Sequence, residues 1–330
     1  MRHVLLILFT LFCLLKMISQ ETITKDELVE HFGFEQKSIS RDGRDIVYYT
    51  YQKDNSKKDK LVLYLQGSDP SPLFSYQKDE NGFRENCFIK GDYKTLGDEY
   101  LYVAIEKIGF EDLIDENNIP TPIIYQKNNS LHNRVHRANE VINHLEEKHH
   151  FSKVIVYGHS EGAPVAAKLA TQNNKITHLG FWAGNVLPDF FDFMLEARRE
   201  YYQGKANIQE THQQISQTIE GFVNHIAKDT ANFDEEGYTN LRWWSYAEPP
   251  INNLIQLDIP LYVQVATEDT NAPIESAYLL PLEFARLKKS NLTFNVCIGC
   301  DHSFRRKNKE ESMERLWPLI FENFIKWTNE

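Results

Sequence analysis

The chain has 330 residues, 42% of them hydrophobic and 25% charged, the make-up of an ordinary globular protein. Its formal net charge of -11 argues against a nucleic-acid partner, which needs a basic surface. The roughly 310 residues beyond the N-terminal apolar segment suit one large domain with an insertion, or two domains, and are enough to bury a core without disulfide or metal staples.

Residues 1–19 join Arg2 and His3 to an almost wholly apolar stretch from Val4 to Leu15, then Lys16 and the small Ser19. That is the pattern of a secretory signal, cleaved from the mature protein, with an uncleaved N-terminal anchor as the alternative. The stretch is short for a membrane span, which needs about 20 apolar residues, so no stable span is expected after cleavage. Loss of Arg2 and Lys16 would leave the mature chain about two units more negative. Cys13 lacks the small preceding residue expected of a lipid-modified cysteine.

Lys37 to Tyr51 reads as a hairpin turning at Asp42-Gly43. A charged loop, Lys53 to Lys60, leads to a buried strand at Leu61 to Leu65, which ends in Gln66-Gly67-Ser68-Asp69. Tyr100 to Ile105 is a further strand. Leu131 to His150 has helical spacing through Val135, Ala138, Val141, Ile142 and Leu145. Next, the β-branched run from Lys153 to Tyr157 enters Gly158-His159-Ser160-Glu161-Gly162, and an alanine-rich helical segment follows at once. A serine between two glycines on a sharp strand-to-helix turn exposes its hydroxyl above the sheet edge. A side chain at 158 or 162 would collide with neighbouring backbone.

Beyond the turn, Ile176 to Ala183 reads as a strand, and Phe190 to Tyr202 and Gln209 to Ala227 as helices. Strands return at Ile259 to Ala266 and Leu292 to Ile298, and Ser312 to Trp327 is expected to close the chain as an amphipathic helix. Alternating strands and helices imply a mostly parallel sheet covered on both faces. Aromatics crowd residues 190–246, among them Phe190, Phe222, Phe233, Trp243 and Trp244. Some are expected to face a substrate, because binding pockets are apolar and aromatic-lined.

Three separated pieces, in order, resemble the α/β-hydrolase family: the Gly158–Gly162 turn, Ile259 to Pro273, and Asn295 to Phe304. The resemblance runs from about residue 37 to the C-terminus. It implies an α/β-hydrolase fold with an eight-stranded type of sheet. The core would span residues 20–187 and 251–330, with a helical cap inserted at 188–250. It also implies a Ser…Asp…His order of catalytic residues.

On that resemblance Ser160 is the nucleophile, since a serine hydroxyl needs both an elbow position and a nearby base. Of twelve histidines, His302 alone sits in a loop after the last strand and before a helix. His159 adjoins the serine but points elsewhere. In the family the acid follows Gly-Thr-x-Asp, and Ala266-Thr267-Glu268-Asp269 matches with Asp269 in place, Glu268 being the alternative and Ala266 a departure. The oxyanion hole falls to the backbone N–H groups of Glu161 and Ser68, with Gln66 a second departure. The Glu161 carboxylate suits a helix N-terminus, or else attracts a cationic substrate group.

The resemblance thus implies a serine hydrolase acting on a carboxylic ester through an acyl-enzyme, and the N-terminal signal pattern implies that it is secreted or periplasmic. The alternative is a serine peptidase of the same fold, of the aminopeptidase or prolyl-peptidase sort. The partner is a small molecule or short peptide, and no cofactor is implied. Cys297 and Cys300 form a C-x-x-C with no second pair, which excludes a four-cysteine zinc site. In a continuous strand, positions three apart lie about 10 Å apart on opposite faces, too far for a bond that needs about 7 Å between Cα atoms. Free, partly buried thiols are therefore expected unless the chain turns at Gly299, and a bridge from Cys87 is the competitor.

Overall fold

A computed structural model of the protein describes residues 23–79, 82–115, 121–227, 238–308 and 310–330; residues 1–19, read above as a signal, and Phe233 lie outside them. Eight strands form one sheet. β1 (Glu35–Arg41) and β2 (Arg44–Tyr51) are a hairpin, turned by Asp42 at φ 52° and Gly43 at φ 74°. β3 (Lys60–Leu65), β6 (Tyr100–Ile105), β7 (Lys153–His159), β8 (His178–Trp182), β9 (Leu261–Ala266) and β10 (Leu292–Cys297) complete it, in the order β1-β2-β6-β3-β7-β8-β9-β10. β1 and β2 pair antiparallel, as do β2 and β6; the remaining neighbours are parallel. Two further strands, β4 (Phe74–Asp79) and β5 (Gly82–Cys87), form a separate hairpin.

The inner strands are mostly apolar because both faces are covered. Side chains alternate across a strand. Leu61, Leu63 and Leu65 therefore enter one core, with Val154 and Val156 beside them. Val62, Tyr64, Ile155 and Tyr157 enter the other. The first core is roofed by α3 (Leu131–His149) and α4 (Gly162–Gln172). The second is closed by α1 (Lys25–His31) and α11 (Trp317–Trp327). Residues 20–34 had no expected structure, yet α1 buries Leu28 and Val29 and starts at a capping box of Thr24 and Glu27. The C-terminal helix starts at Trp317, not Ser312. Met313–Arg315 (β12) instead pairs with Arg305–Lys307 (β11), and Pro318 takes the helix's first turn, where its missing N–H costs nothing.

Between β8 and β9 the described residues hold only helices: α5 (Asp189–Tyr202), α6 (Ile208–Ile226), α7 (Asn240–Ser245) and α8 (Pro250–Leu254). Their aromatics pack largely on one another. The Phe190 ring lies 5.1 Å from Phe222 and 5.0 Å from Trp243. Helix α8 rejoins the core through buried Ile251 and Leu254. A short α2 (Ile123–Asn128) precedes α3, and α9 (Ile274–Ala277) and α10 (Leu279–Arg286) follow β9. No helix among the described residues is long and apolar enough to cross a membrane.

Candidate functional site

The parallel strands β3, β7 and β9 end on one side of the sheet, and their following loops converge there. β7 runs into Ser160 at φ 56°, and α4 starts two residues later. A left-handed conformation at a residue with a Cβ costs on the order of 1–3 kcal/mol, and it persists only where its surroundings hold it. The holders are the hydrogen bonds from Ser160 N to the Trp182 carbonyl at 3.0 Å and from Ala163 N to the Ser160 carbonyl at 2.9 Å. Both flanking glycines are required by close approach. A Cβ at Gly158 would sit 2.0 Å from the Gly162 carbonyl oxygen, and one at Gly162 would sit 2.0 Å from the Leu65 carbonyl oxygen.

The loop after β3 lies against the serine. A Cβ at Gly67 would come within 3.2 Å of Ser160 Cβ and 3.6 Å of its Oγ. Ser68, Ser160 and His302 line one cavity of about 260 Å³. Among the described residues, the N–H groups of Ser68 and Glu161 donate to no acceptor, which leaves both free for a ligand.

Asp269 follows β9 and is completely buried. Its Oδ1 accepts from the N–H groups of Asn271 at 2.8 Å and Ala272 at 2.9 Å, and its Oδ2 is 2.8 Å from His302 Nδ1. Glu268 points to solvent. Ala266 is tolerated because it ends a regular strand, paired with Cys297 and outside the left-handed region. No hydrogen bond joins His302 to Ser160 Oγ; in unliganded sites such contacts are often long and tighten when substrate binds.

Est1E from Butyrivibrio proteoclasticus superposes with a TM-score of 0.50 at 11% identity, over 89% of this chain and 97% of that one. A puromycin-hydrolyzing peptidase of Mycobacterium tuberculosis superposes at 0.51 with 12% identity, over 82% of this chain and 37% of its own. An acylaminoacyl peptidase of Pyrococcus horikoshii superposes at 0.53 with 12% identity, over 95% and 43%. This chain has the α/β-hydrolase fold. It spans less than half the length of the two peptidases. Its sequence matches no protein-family model and no curated protein.

On this α/β-hydrolase frame three groups of residues that sequence reasoning missed support the loops. The first is His159. Its Nε2 is 2.9 Å from the His302 carbonyl oxygen, and its ring lies 4.8 Å from those of His302 and Trp317. Burial, reinforced by neighbouring His302, pushes its pKa down to about 3, so the ring is neutral and donates to that carbonyl. The second is a charge cluster beneath the turn. Glu161 pairs with Arg134 at 2.8 Å and Arg242 at 2.6 Å, and Arg134 also donates to the Gln66 carbonyl. Burial alone would raise the Glu161 carboxyl. Arg242, Arg134 and Lys107 outweigh it and hold the group down at about 2. The carboxylate is therefore committed to two arginines and is not available to a cationic substrate.

The third group reaches in from α5. Arg199 donates to the Asp269 carbonyl at 3.3 Å and pairs with Glu275 at 3.1 Å. Asn185 bonds both the buried Asp192 carboxyl at 2.5 Å and the Asn271 carbonyl at 3.2 Å.

Two expectations need correction. Cys297 and Cys300 are joined by a disulfide, with Cα atoms 5.5 Å apart. β10 stops at Cys297, and Gly299 at φ 72° turns the chain back, so the geometry of a continuous strand does not apply. Cys87 is the free thiol, its pKa pushed up to about 11 by burial. Nor, among the described residues, does any aromatic of 190–246 line the cavity at Ser160. Among the described residues its wall comes from the loops after β3, β5, β6, β7, β9 and β10, and polar side chains predominate.

Proposed function

We propose that the chain is a serine hydrolase that cleaves a carboxylic ester through an acyl-enzyme. Ser160 Oγ attacks the acyl carbonyl, and His302 Nε2 takes its proton. Asp269 keeps the proton on His302 Nδ1 and stabilises the imidazolium without accepting a proton itself. The oxyanion of the tetrahedral intermediate is received by the N–H groups of Ser68 and Glu161, a kind of donor typically worth about 3 kcal/mol each. His302 then protonates the leaving alcohol, and water reverses the sequence to free the acid.

One observation carries this reading above the others: a buried carboxylate 2.8 Å from the Nδ1 of a histidine that shares a cavity with a serine on a strained strand-to-helix turn. Structural neighbours that include peptidases keep amide hydrolysis as the second reading. Residues 188–250 are proposed as a cap, because they are inserted between two core strands and α5 touches the acid loop. Residues 1–19 are proposed as an export signal, from their charge and apolar pattern.

The test is a panel of 4-nitrophenyl esters and aminoacyl 4-nitroanilides, run on the wild type and on Ser160→Ala. Ester turnover lost in the variant supports the proposal. Turnover of anilides alone favours the peptidase, and Ser160-independent turnover refutes both.

A further inference from the structure

The cavity beside Ser160 carries an electrostatic feature that ester hydrolysis does not require. Two lysines line it: Lys90, after β5, and Lys107, after β6. Lys107 is buried, and its Nζ donates to the backbone carbonyl of Asp69. Lys90 Nζ stands 5.9 Å from the centre of the Trp317 ring. Among the described residues, no carboxylate lies within 4.0 Å of either ammonium. Asp69 is the one acidic residue on the same wall; its side chain is exposed, and it engages Lys107 through its carbonyl, not its carboxylate. Glu161 lies behind Lys107 but is already held by Arg134 and Arg242.

A chain with a net charge of -11 thus directs two lysines and one acid into the pocket that holds its nucleophile. Taking an ammonium out of water is unfavourable unless a counter-charge meets it. Burial accordingly lowers the pKa of both lysines, that of Lys107 to about 7. Among the described residues Asp69, Glu106 and Glu161 act on these ammonium groups only from beyond 4.0 Å, so a ligand carboxylate in the cavity would be their closest counter-charge. In a part-buried cavity a charge-assisted hydrogen bond is roughly twice as strong as a neutral one.

We propose, building on the hydrolase reading above, that the substrate is an anionic ester bearing a free carboxylate on its acyl or alcohol half, received by Lys90 and Lys107. The lysines select the substrate and position it; they take no part in the bond changes. Cleavage remains the addition of water across the ester, giving an alcohol and an acid, one of which carries the second carboxylate.

The test compares matched pairs that differ only in charge: 4-nitrophenyl hydrogen adipate with its methyl ester, and 4-acetoxybenzoate with methyl 4-acetoxybenzoate. The readout is the ratio of kcat/KM values within a pair, which cancels any general loss of activity. In the wild type the acid should exceed its methyl ester by about tenfold in at least one pair, the scale of one charge-assisted contact. Lys90→Met and Lys107→Met should each reduce that ratio, the double variant should bring it to one or below, and Lys90→Arg should largely keep it. A wild-type ratio at or below one in both pairs overturns the proposal, as does a ratio unchanged in the double variant. If no ester is turned over, the ester-hydrolase reading falls by itself. The subsite is then judged by calorimetric binding of adipate to the wild-type protein: binding lost in Lys90→Met sustains it, and no binding overturns it.

Discussion

Replacing Glu161 by Gln keeps the shape of the side chain and removes its charge. Arg134 and Arg242 would then face each other across a buried amide. Arg242 already has two nitrogens, Nε and Nη1, without an acceptor, so it has little left beyond Asp189 at 3.5 Å. The magnitude follows from the carboxyl's titration. The group is held at about 2 against an ordinary 4.5, and at roughly 1.4 kcal/mol per unit this is worth ~3 kcal/mol of stability at neutral pH. Breaking a buried pair by removing one partner typically costs about 3–5 kcal/mol, which agrees.

The sign sets the pH window. A carboxyl depressed in the folded state adds stability that is fully present above its unfolded value, near 4.5, and is lost as pH falls through about 2. The penalty of Glu161→Gln, read by urea unfolding with tryptophan fluorescence, should therefore be about 3 kcal/mol at pH 7 and about half that at pH 3. A penalty below about 1 kcal/mol at pH 7, or one equal at both pH values, would show that the cluster does not hold the turn as described.

Asp269→Asn should lower kcat by about ten-thousand-fold, because the amide favours the wrong His302 tautomer, whereas solvent-facing Glu268→Gln should stay near wild type in the same ester assay. His159→Phe preserves a ring against Trp317 but removes the donor to the His302 carbonyl. It should lower kcat roughly threefold to tenfold at unchanged KM, and a KM effect alone would argue against a positioning role. N-terminal sequencing of exported protein should place the mature start near Ser19 to Glu21, and recovery of Met1 would favour an anchor.

What was legible in the sequence follows from the range of the interactions. The turn at Ser160 is local: a β-branched run, two glycines where an added Cβ would sit 2.0 Å from a carbonyl oxygen, and an alanine-rich helix lie within twenty residues. The inner strands of the large sheet were legible too, because burial on both faces writes each as a largely apolar run, whereas the β4–β5 and β11–β12 hairpins were not read. The support for the site was not. Glu161 meets partners 27 and 81 positions away, and His159 meets His302 across 143. Nothing in spacing reports such pairs.

Other features were present in the sequence but read differently. Thr24-Lys-Asp-Glu27 is a capping-box pattern and marks α1. Aromatic density between 190 and 246 suggested an apolar pocket, but those rings chiefly bury one another, and the cavity at the serine is built from polar loop residues. The disulfide turned on where β10 ends, and strand ends are the least legible boundary.

The central claim, that Ser160 is an activated nucleophile, is tested most directly by peptide mass mapping after reaction with a fluorophosphonate. The account predicts one adduct per chain, on the peptide carrying Ser160, absent from Ser160→Ala and strongly slowed in His302→Ala. An adduct on any other serine, or undiminished labelling of Ser160→Ala, would contradict it.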